Sequence, residues 1–195
     1  MYPIVIVFKM SNELSDKELI MQFKVPATKQ AAYKLLLSRY SRKVYWQVRR
    51  IVINHDDADD VVQNTFIKVW EKLDDFRESS QLYTWLYRIA TNEALAFLQK
   101  KKASLNISIE SLQEQLGEQL VSDTYFNGNK LELLLQQAVL SLPEKQRLVF
   151  NMKYYEQMKY EEIEAILGTS VGGLKASYHI AVKKIEEIVK KSLNH

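Results

Sequence analysis

The sequence has no cysteine, only five glycines and three prolines, and three histidines, His55, His179 and His195. Without cysteine there is no disulfide framework and no thiolate metal site, so a reducing compartment is the natural home and the cytoplasm is the expected location. Few glycines and prolines mean few obligatory breaks, and the abundance of Leu, Lys, Glu, Ala, Ile and Val favours helix. The apolar run of "MYPIVIVFK", Pro3 to Phe8, is six residues long. That is too short for a signal-peptide core or a membrane span, so no direct membrane insertion is expected. Met10, opening "MSNELSDKELI", reads as a fresh N-terminus, so residues 1–13 are expected to be an N-terminal extension and no function is built on residues 1–9. What is present is 195 residues at 47% hydrophobic, enough for one modest domain or two small ones with real cores. The expected fold class is all-α.

The net charge of +3 conceals segregation. From Lys24 to Ile53 there are eight basic residues and no acid; from Asn54 to Glu78 there are eight acids and three bases; from Val171 onward five lysines face two glutamates. Four of the acids, Asp56, Asp57, Asp59 and Asp60, fall within five positions of "HDDADDVVQNTFIKVWEKL". Charge separated in this way fits separate partners, nucleic acid being the usual one for basic faces, and it also fits plain solvated helix faces.

Helical periodicity organises the chain. "LSDKELIMQFK" has the capping-box pattern, Ser15 with Glu18 three residues on. Residues 28–53 carry Leu37, Tyr40, Val44, Val48 and Ile51 as one stripe, and residues 57–74 carry Val62, Phe66, Val69 and Leu73. In residues 82–100, Leu82, Leu86, Ile89, Ala90 and Phe97 form the apolar side, with Thr84, Arg88, Thr91 and Asn92 opposite. These stripes require mutual burial, which predicts a first domain over 14–102 with three to four helices. Residues 103–128 are polar and weakly periodic, with a transient helix expected around "IESLQEQL" and a turn at "NGN"; they read as a flexible linker. Residues 129–195 hold four helical stretches, the size of a second small domain.

Within it, "YEEIEAILGTSVGGLKASYHIAVKKI" reads as a helix over 160–167, a turn at Gly168 to Ser170, and a second helix from Val171, a helix-turn-helix. Gly168 supplies the positive φ and Ser170 the cap. Val171, Leu174, Tyr178, Ala181, Ile185 and Ile188 are expected inward, with Ala176, His179, Ile180, Lys183 and Glu187 outward and Lys175 at the flank. Small or polar side chains for base edges and basic ones for phosphates suit a helix in a major groove, and Ile180 suits a thymine methyl. An ordinary helical hairpin satisfies the same pattern.

The blocks "DDADDVVQNTFIKVWEKLDDF…LYTWLYRIATNEAL" and "LPEKQRLVFNMKYYEQMKYEEIEAILGTSVGGLKASYHIAVKKI" together resemble a bacterial RNA polymerase sigma factor of the sigma-70 family, of the small extracytoplasmic-function type that has only regions 2 and 4. The resemblance implies that the helix beginning in the acidic cluster docks on the β′ clamp helices of core RNA polymerase through Asp60, Gln63 and Asn64, the last standing where the family more often has Glu. It implies minus-10 contacts by Arg88 and Asn92, with Lys100, Lys101 and Lys102 on phosphates, lysine replacing the arginines of many relatives. Phe76 to Leu82 is the implied base pocket, and Tyr83, Trp85 and Tyr87 are the aromatics beside it, Trp85 reading more as core. Region 4 would read the minus-35 element with Ser170, Lys175, Ala176, His179, Ile180 and Lys183. Lys175 and Ile180 stand where arginine is common, which implies a preference less directed to guanine. Further implied partners are the polymerase β flap, promoter DNA and an anti-sigma factor.

Other classes fit less of the chain. A stand-alone helix-turn-helix regulator explains residues 130–190 and leaves the acidic helix and "YTWLYRIATN" without purpose. A metal-dependent nuclease on the aspartates lacks a calcium-loop spacing, a completing His or Glu motif and a Gly-rich phosphate loop, so neither a cofactor nor a catalytic residue is expected. A purely protein-binding adaptor leaves the basic recognition face unused.

Overall fold

The computed structural model describes residues 14–77, 80–122 and 130–193. The N-terminal extension with the Met10 start, Glu78 and Ser79 of the expected base pocket, and the "NGN" turn at 127–129 lie outside the described residues. Among the described residues there are nine α-helices, one short 3-10 turn and no strand.

Four helices form an N-terminal group: α1 (Asp16–Phe23), α2 (Lys29–Val52), α3 (His55–Lys72) and α4 (Leu82–Leu105). The capping box is present at α1, where the Glu18 amide donates to Ser15 Oγ at 3.3 Å and the Ser15 amide donates to Glu18 Oε2 at 2.8 Å. The hydrogen bonds from Ser15 hold the Glu18 carboxyl below its ordinary range. On α2, Tyr40, Val44, Val48 and Ile51 are buried as their spacing predicts, joined by Leu36, while Leu37 is half-buried. Helices α2, α3 and α4 pack against one another in all three pairings, and α1 closes over α2. Arg39 and Tyr40 fix that closure by reaching Asp16 at 2.7 Å and 2.6 Å.

Helix α4 departs from the expected two-sided pattern. Thr84 and Thr91, placed on the exposed side by periodicity, are buried, because α4 is covered on one flank by α2 and α3 and on another by a helix from the C-terminal group. Thr91 is satisfied there, its hydroxyl accepting from Gln47 Nε2 at 3.2 Å.

The linker is also more structured than its composition suggests. Ile109–Ser122 forms helix α5, with Leu112, Leu116 and Leu120 buried at i, i+4, i+8 and packed with α6. Three leucines at one helical spacing make a narrow stripe that a polar background hides from a periodicity reading. The C-terminal group follows: α6 (Lys130–Leu140), α7 (Glu144–Tyr154), α8 (Tyr160–Leu167) and α9 (Val171–Leu193). Leu174, Ala181 and Ile185 of α9 are buried, and Val171 and Tyr178 are half-buried. Ile188, expected inward, is 37% exposed; in the last turns Val189 takes the packed position instead.

Candidate functional site

The turn into α3 is sharp. Ile53 adopts φ +66°, a region costly for a β-branched residue, and its side chain is buried. Asn54 then caps α3, its side chain accepting from the Asp57 amide at 3.0 Å. The aspartates that follow diverge. Asp57 turns inward and binds Lys101 Nζ of α4, and Asp59 lies 3.6 Å from His55 Nε2, whose Nδ1 is hydrogen-bonded with the Tyr45 hydroxyl at 2.7 Å. Asp56 and Asp60 point to solvent. Among the described residues no group of three or more His, Cys, Asp or Glu is disposed to hold a metal ion.

Asp60, Gln63 and Asn64 are all exposed and share one face of α3. Ile67 continues that face at 51% exposure, seven residues from Asp60 and four from Gln63. The same i, i+3, i+4, i+7 spacing in the sequence marks Ile67 as a fourth member, an apolar side chain on a face that the core does not use.

The predicted minus-10 residues separate. Arg88 and Asn92 are exposed one turn apart on α4. Lys100 is exposed and Lys102 half-buried, whereas Lys101 is held by Asp57 and ties α4 to the start of α3 rather than standing free for phosphate. Of the aromatics, Trp85 is buried against Phe76, ring centroids 5.1 Å apart, and belongs to the core. Tyr87 is buried completely, a correction to its reading as a base-facing aromatic; its hydroxyl donates to Glu156 Oε2 at 2.8 Å. Tyr83 is half-buried, 4.2 Å from Tyr87 by ring centroid, and burial pushes its hydroxyl up to about 12. Of the described part of the expected base pocket, Phe76, Ser80, Gln81 and Leu82 contribute to a cleft against α1 that is also lined by Asp16, Lys17 and Ile20, and Arg77 is exposed outside it.

The helix-turn-helix has the expected geometry. Gly168 ends α8 at φ +66°, its amide donating to Glu164 O at 2.8 Å, and Ser170 Oγ accepts from the Gly173 amide at 3.4 Å at the start of α9. Lys175, Ala176, His179, Ile180 and Lys183 are all exposed along one side of α9, Ile180 at 44%. Ser170 is exposed as well, so its side chain caps the helix at the edge of that surface. Lys175 Nζ lies 5.8 Å from the ring centroid of Tyr160 on α8, which steadies the flank.

Sequence reasoning did not identify Arg50 and Glu156. They meet across the two helical groups in an ion pair, with the Arg50 guanidinium 4.3 Å from the ring centroid of Tyr155. No sequence pattern signals a pair 106 positions apart.

Comparison with known proteins places these surfaces in a family. Residues 36–104 match Sigma-70 region 2, and residues 132–185 match Sigma-70, region 4. The "ECF RNA polymerase sigma-E factor" of Escherichia coli strain K12 is 34% identical over 188 residues, covering 92% of this chain and 97% of that protein. The protein of the same name from Haemophilus influenzae is 32% identical over 185 residues, with 91% and 96% covered. Among solved structures, CnrH in complex with the cytosolic domain of CnrY superposes with a TM-score of 0.66 at 22% identity, covering 90% of this chain and 97% of that one. The sigma factor RpoE in complex with the anti-sigma factor NepR from Bartonella quintana gives 0.65 at 23% identity, covering 81% and 96%. At such identities the structural likeness concerns the fold, and the sequence relatives carry the assignment. With regions 2 and 4 in order and relatives one-third identical along nearly their whole length, the chain belongs to the sigma-70 family of RNA polymerase sigma factors, of extracytoplasmic-function type, which direct the polymerase to promoters.

Proposed function

We propose that this sigma factor works through three surfaces: the α3 face for core polymerase, the α4 face for the minus-10 element, and α9 for the minus-35 element. The observation that carries the reading is that two exposed polar faces, on α3 and on α9, belong to the two matched regions and are not used by the core. Asp60, Gln63 and Asn64 offer oxygen and amide groups to basic side chains of the polymerase β′ clamp helices, and Ile67 supplies an apolar anchor beside them.

Arg88 and Asn92 contact the minus-10 element and Lys100 and Lys102 its phosphates, while Lys101 serves the fold through Asp57. Melting there needs no nucleotide hydrolysis, because contacts to extruded bases offset the lost pairing. In region 4, Lys175, Ala176, His179, Ile180 and Lys183 face the major groove and Ser170 closes the helix N-terminus. With lysine and isoleucine in place of two arginines, discrimination for guanine falls by about 1–3 kcal/mol per lost bidentate pair, and Ile180 favours a thymine methyl.

The working units are 14–102 for core binding and minus-10 recognition, 103–128 as the connection, and 129–195 for minus-35 recognition and contact with the β flap. The protein acts in the cytoplasm as a non-enzymatic initiation factor without a cofactor. It is held silent by an anti-sigma factor, the kind of partner named for the RpoE structure above. A stand-alone regulator is not favoured, because it leaves the region 2 match without a role.

The test is transcription of genomic DNA by purified core polymerase with and without the protein, reading the 5′ ends of new transcripts. Discrete starts sharing paired upstream elements are expected only with the protein, and the Asp60→Ala, Gln63→Ala double variant loses them. Absence of core binding and of new starts overturns the reading. Selection of bound duplexes returning a strict guanine opposite Ile180 overturns the minus-35 assignment.

A further inference from the structure

A cavity of about 580 Å³ lies at the junction of α4, α5 and the start of α7, and apart from Lys102 the surfaces assigned above leave its lining unused. Its size is that of a small-molecule site. Much of the lining is apolar. Leu98 of α4 and Leu112 and Leu116 of α5 contribute to it, each of them otherwise packed into the core. Such side chains draw a hydrocarbon chain or a ring out of water but do not orient it.

The polar side chains of the lining supply the orientation. Arg147 of α7 is 4% exposed, and its Nε is buried without a hydrogen-bond partner among the described residues. Its Nη1 donates to a neutral carbonyl, Leu140 O, at 3.3 Å. A buried guanidinium with an unused donor is costly, and an anion is the group that satisfies it best. Two further features attract the same charge. Lys102 of α4 is half-buried on the same cavity. Pro143 and Glu144 bring the first turn of the 11-residue α7 to the lining, and no side chain caps that turn, so its leading amides have no intrahelical acceptors.

The charge balance narrows what fits. Because Glu144 also lines the cavity, two cations face one carboxylate and a single positive charge is left over. A monoanion neutralises that charge, whereas a phosphate dianion overshoots it and meets Glu144 as a like charge.

We propose that this cavity is a binding site for an amphipathic monocarboxylate, its carboxylate held by Arg147 and Lys102 and its hydrocarbon or aromatic body packed on Leu98, Leu112 and Leu116. The site draws on both matched regions and on the helix between them. It does not rest on the polymerase and promoter assignments, and its test needs neither polymerase nor DNA.

The probe is octanoate, titrated into the full chain by isothermal titration calorimetry, with 1-octanol and inorganic phosphate as the two halves of its chemistry. Octanoate is expected to bind saturably at one site per chain, and either half at least about tenfold more weakly. Gln113→Glu adds a second carboxylate to the lining and should weaken octanoate about tenfold. Lys102→Gln should weaken it in the same direction by a smaller factor. Gln113 and Lys102 are both half-buried, so these variants keep the fold, which circular dichroism reports. Arg147→Met keeps much of the buried stem and should abolish binding; if it folds poorly, the other two variants decide. Octanoate that fails to bind, or that binds unchanged by Gln113→Glu and Lys102→Gln, overturns the site. Equal binding of 1-octanol overturns the role of the carboxylate, and tighter binding of phosphate overturns the apolar half of the proposal.

Discussion

The N-terminal and C-terminal helical groups contain four helices each, yet they are built on different terms. In the first, α2, α3 and α4 surround one core that includes Phe23, Leu36, Val48, Leu73 and Leu86, each essentially inaccessible. In the second, the buried residues divide. Ala138, Val139, Leu142, Phe150, Ala181 and Ile185 make a small cluster of their own, while Met152, Met158 and Ile163 are buried together with the first group. The N-terminal group has one large core of its own, whereas the C-terminal group divides its burial between a small cluster and the surface of the first group.

Core truncation should separate the two groups most strongly. Leu86→Ala is expected to cost about 2–5 kcal/mol of N-terminal stability. All three tryptophans, Trp46, Trp70 and Trp85, lie in that group, so their fluorescence reports it alone while far-ultraviolet circular dichroism reports both. The mutation should bring the fluorescence midpoint in urea down sharply; Ile185→Ala should instead shift circular dichroism with little change in fluorescence. Coincident shifts of both probes in both variants would show a single cooperative unit.

High pH should loosen the junction. Burial pushes the Tyr83 and Tyr155 hydroxyls up to about 12, above the value near 10 expected in the unfolded chain. Their contribution is therefore complete below pH 10 and is lost as pH rises through 12. Tyrosinate absorbance at 295 nm should lag behind that of free tyrosine and then rise together with the loss of compact scattering.

Smaller effects sharpen the comparison. Asp57→Ala leaves Lys101 unpaired between α3 and α4 and should cost about 1–2 kcal/mol, measured by urea unfolding followed by tryptophan fluorescence. In the helix-turn-helix, Gly168→Ala forces a side chain into φ +66° and should cost about 1 kcal/mol. Gly172→Ala meets open space within α9 and should stabilise it by about 0.5–1 kcal/mol. Thermal unfolding by circular dichroism should place these two variants on opposite sides of wild type. Ser15→Ala removes the α1 capping box for about 1 kcal/mol.

Much of this was legible in the chain. The capping box, the stripes of α2 and α3, the Gly168 turn and the outward set on α9 follow from local chemistry, and they appear where periodicity puts them. The α3 face was legible too, although Ile67 emerges only when the spacing of Asp60 and Gln63 is carried one turn further. Thr84 and Thr91 were misplaced because periodicity describes a helix with one covered side, and α4 is covered on two; the same second cover buries Tyr87, which the resemblance had set beside the base pocket. The pairing of Lys101 with Asp57 was not legible, because a lysine next to two others reads as solvated until a distant aspartate claims it.

The sequence by itself determined the long helices of the two groups, the Ser15 and Ser170 caps, the Gly168 turn and the two motif blocks, since these depend on side chains within a few positions of one another. Only the tertiary structure decided that α5 packs rather than trails, that Asp57 leaves the acidic cluster to hold Lys101, and that Glu156 reaches Arg50 and Tyr87. Those contacts join residues dozens of positions apart, and the burial that makes them strong exists only once both helical groups have closed on each other.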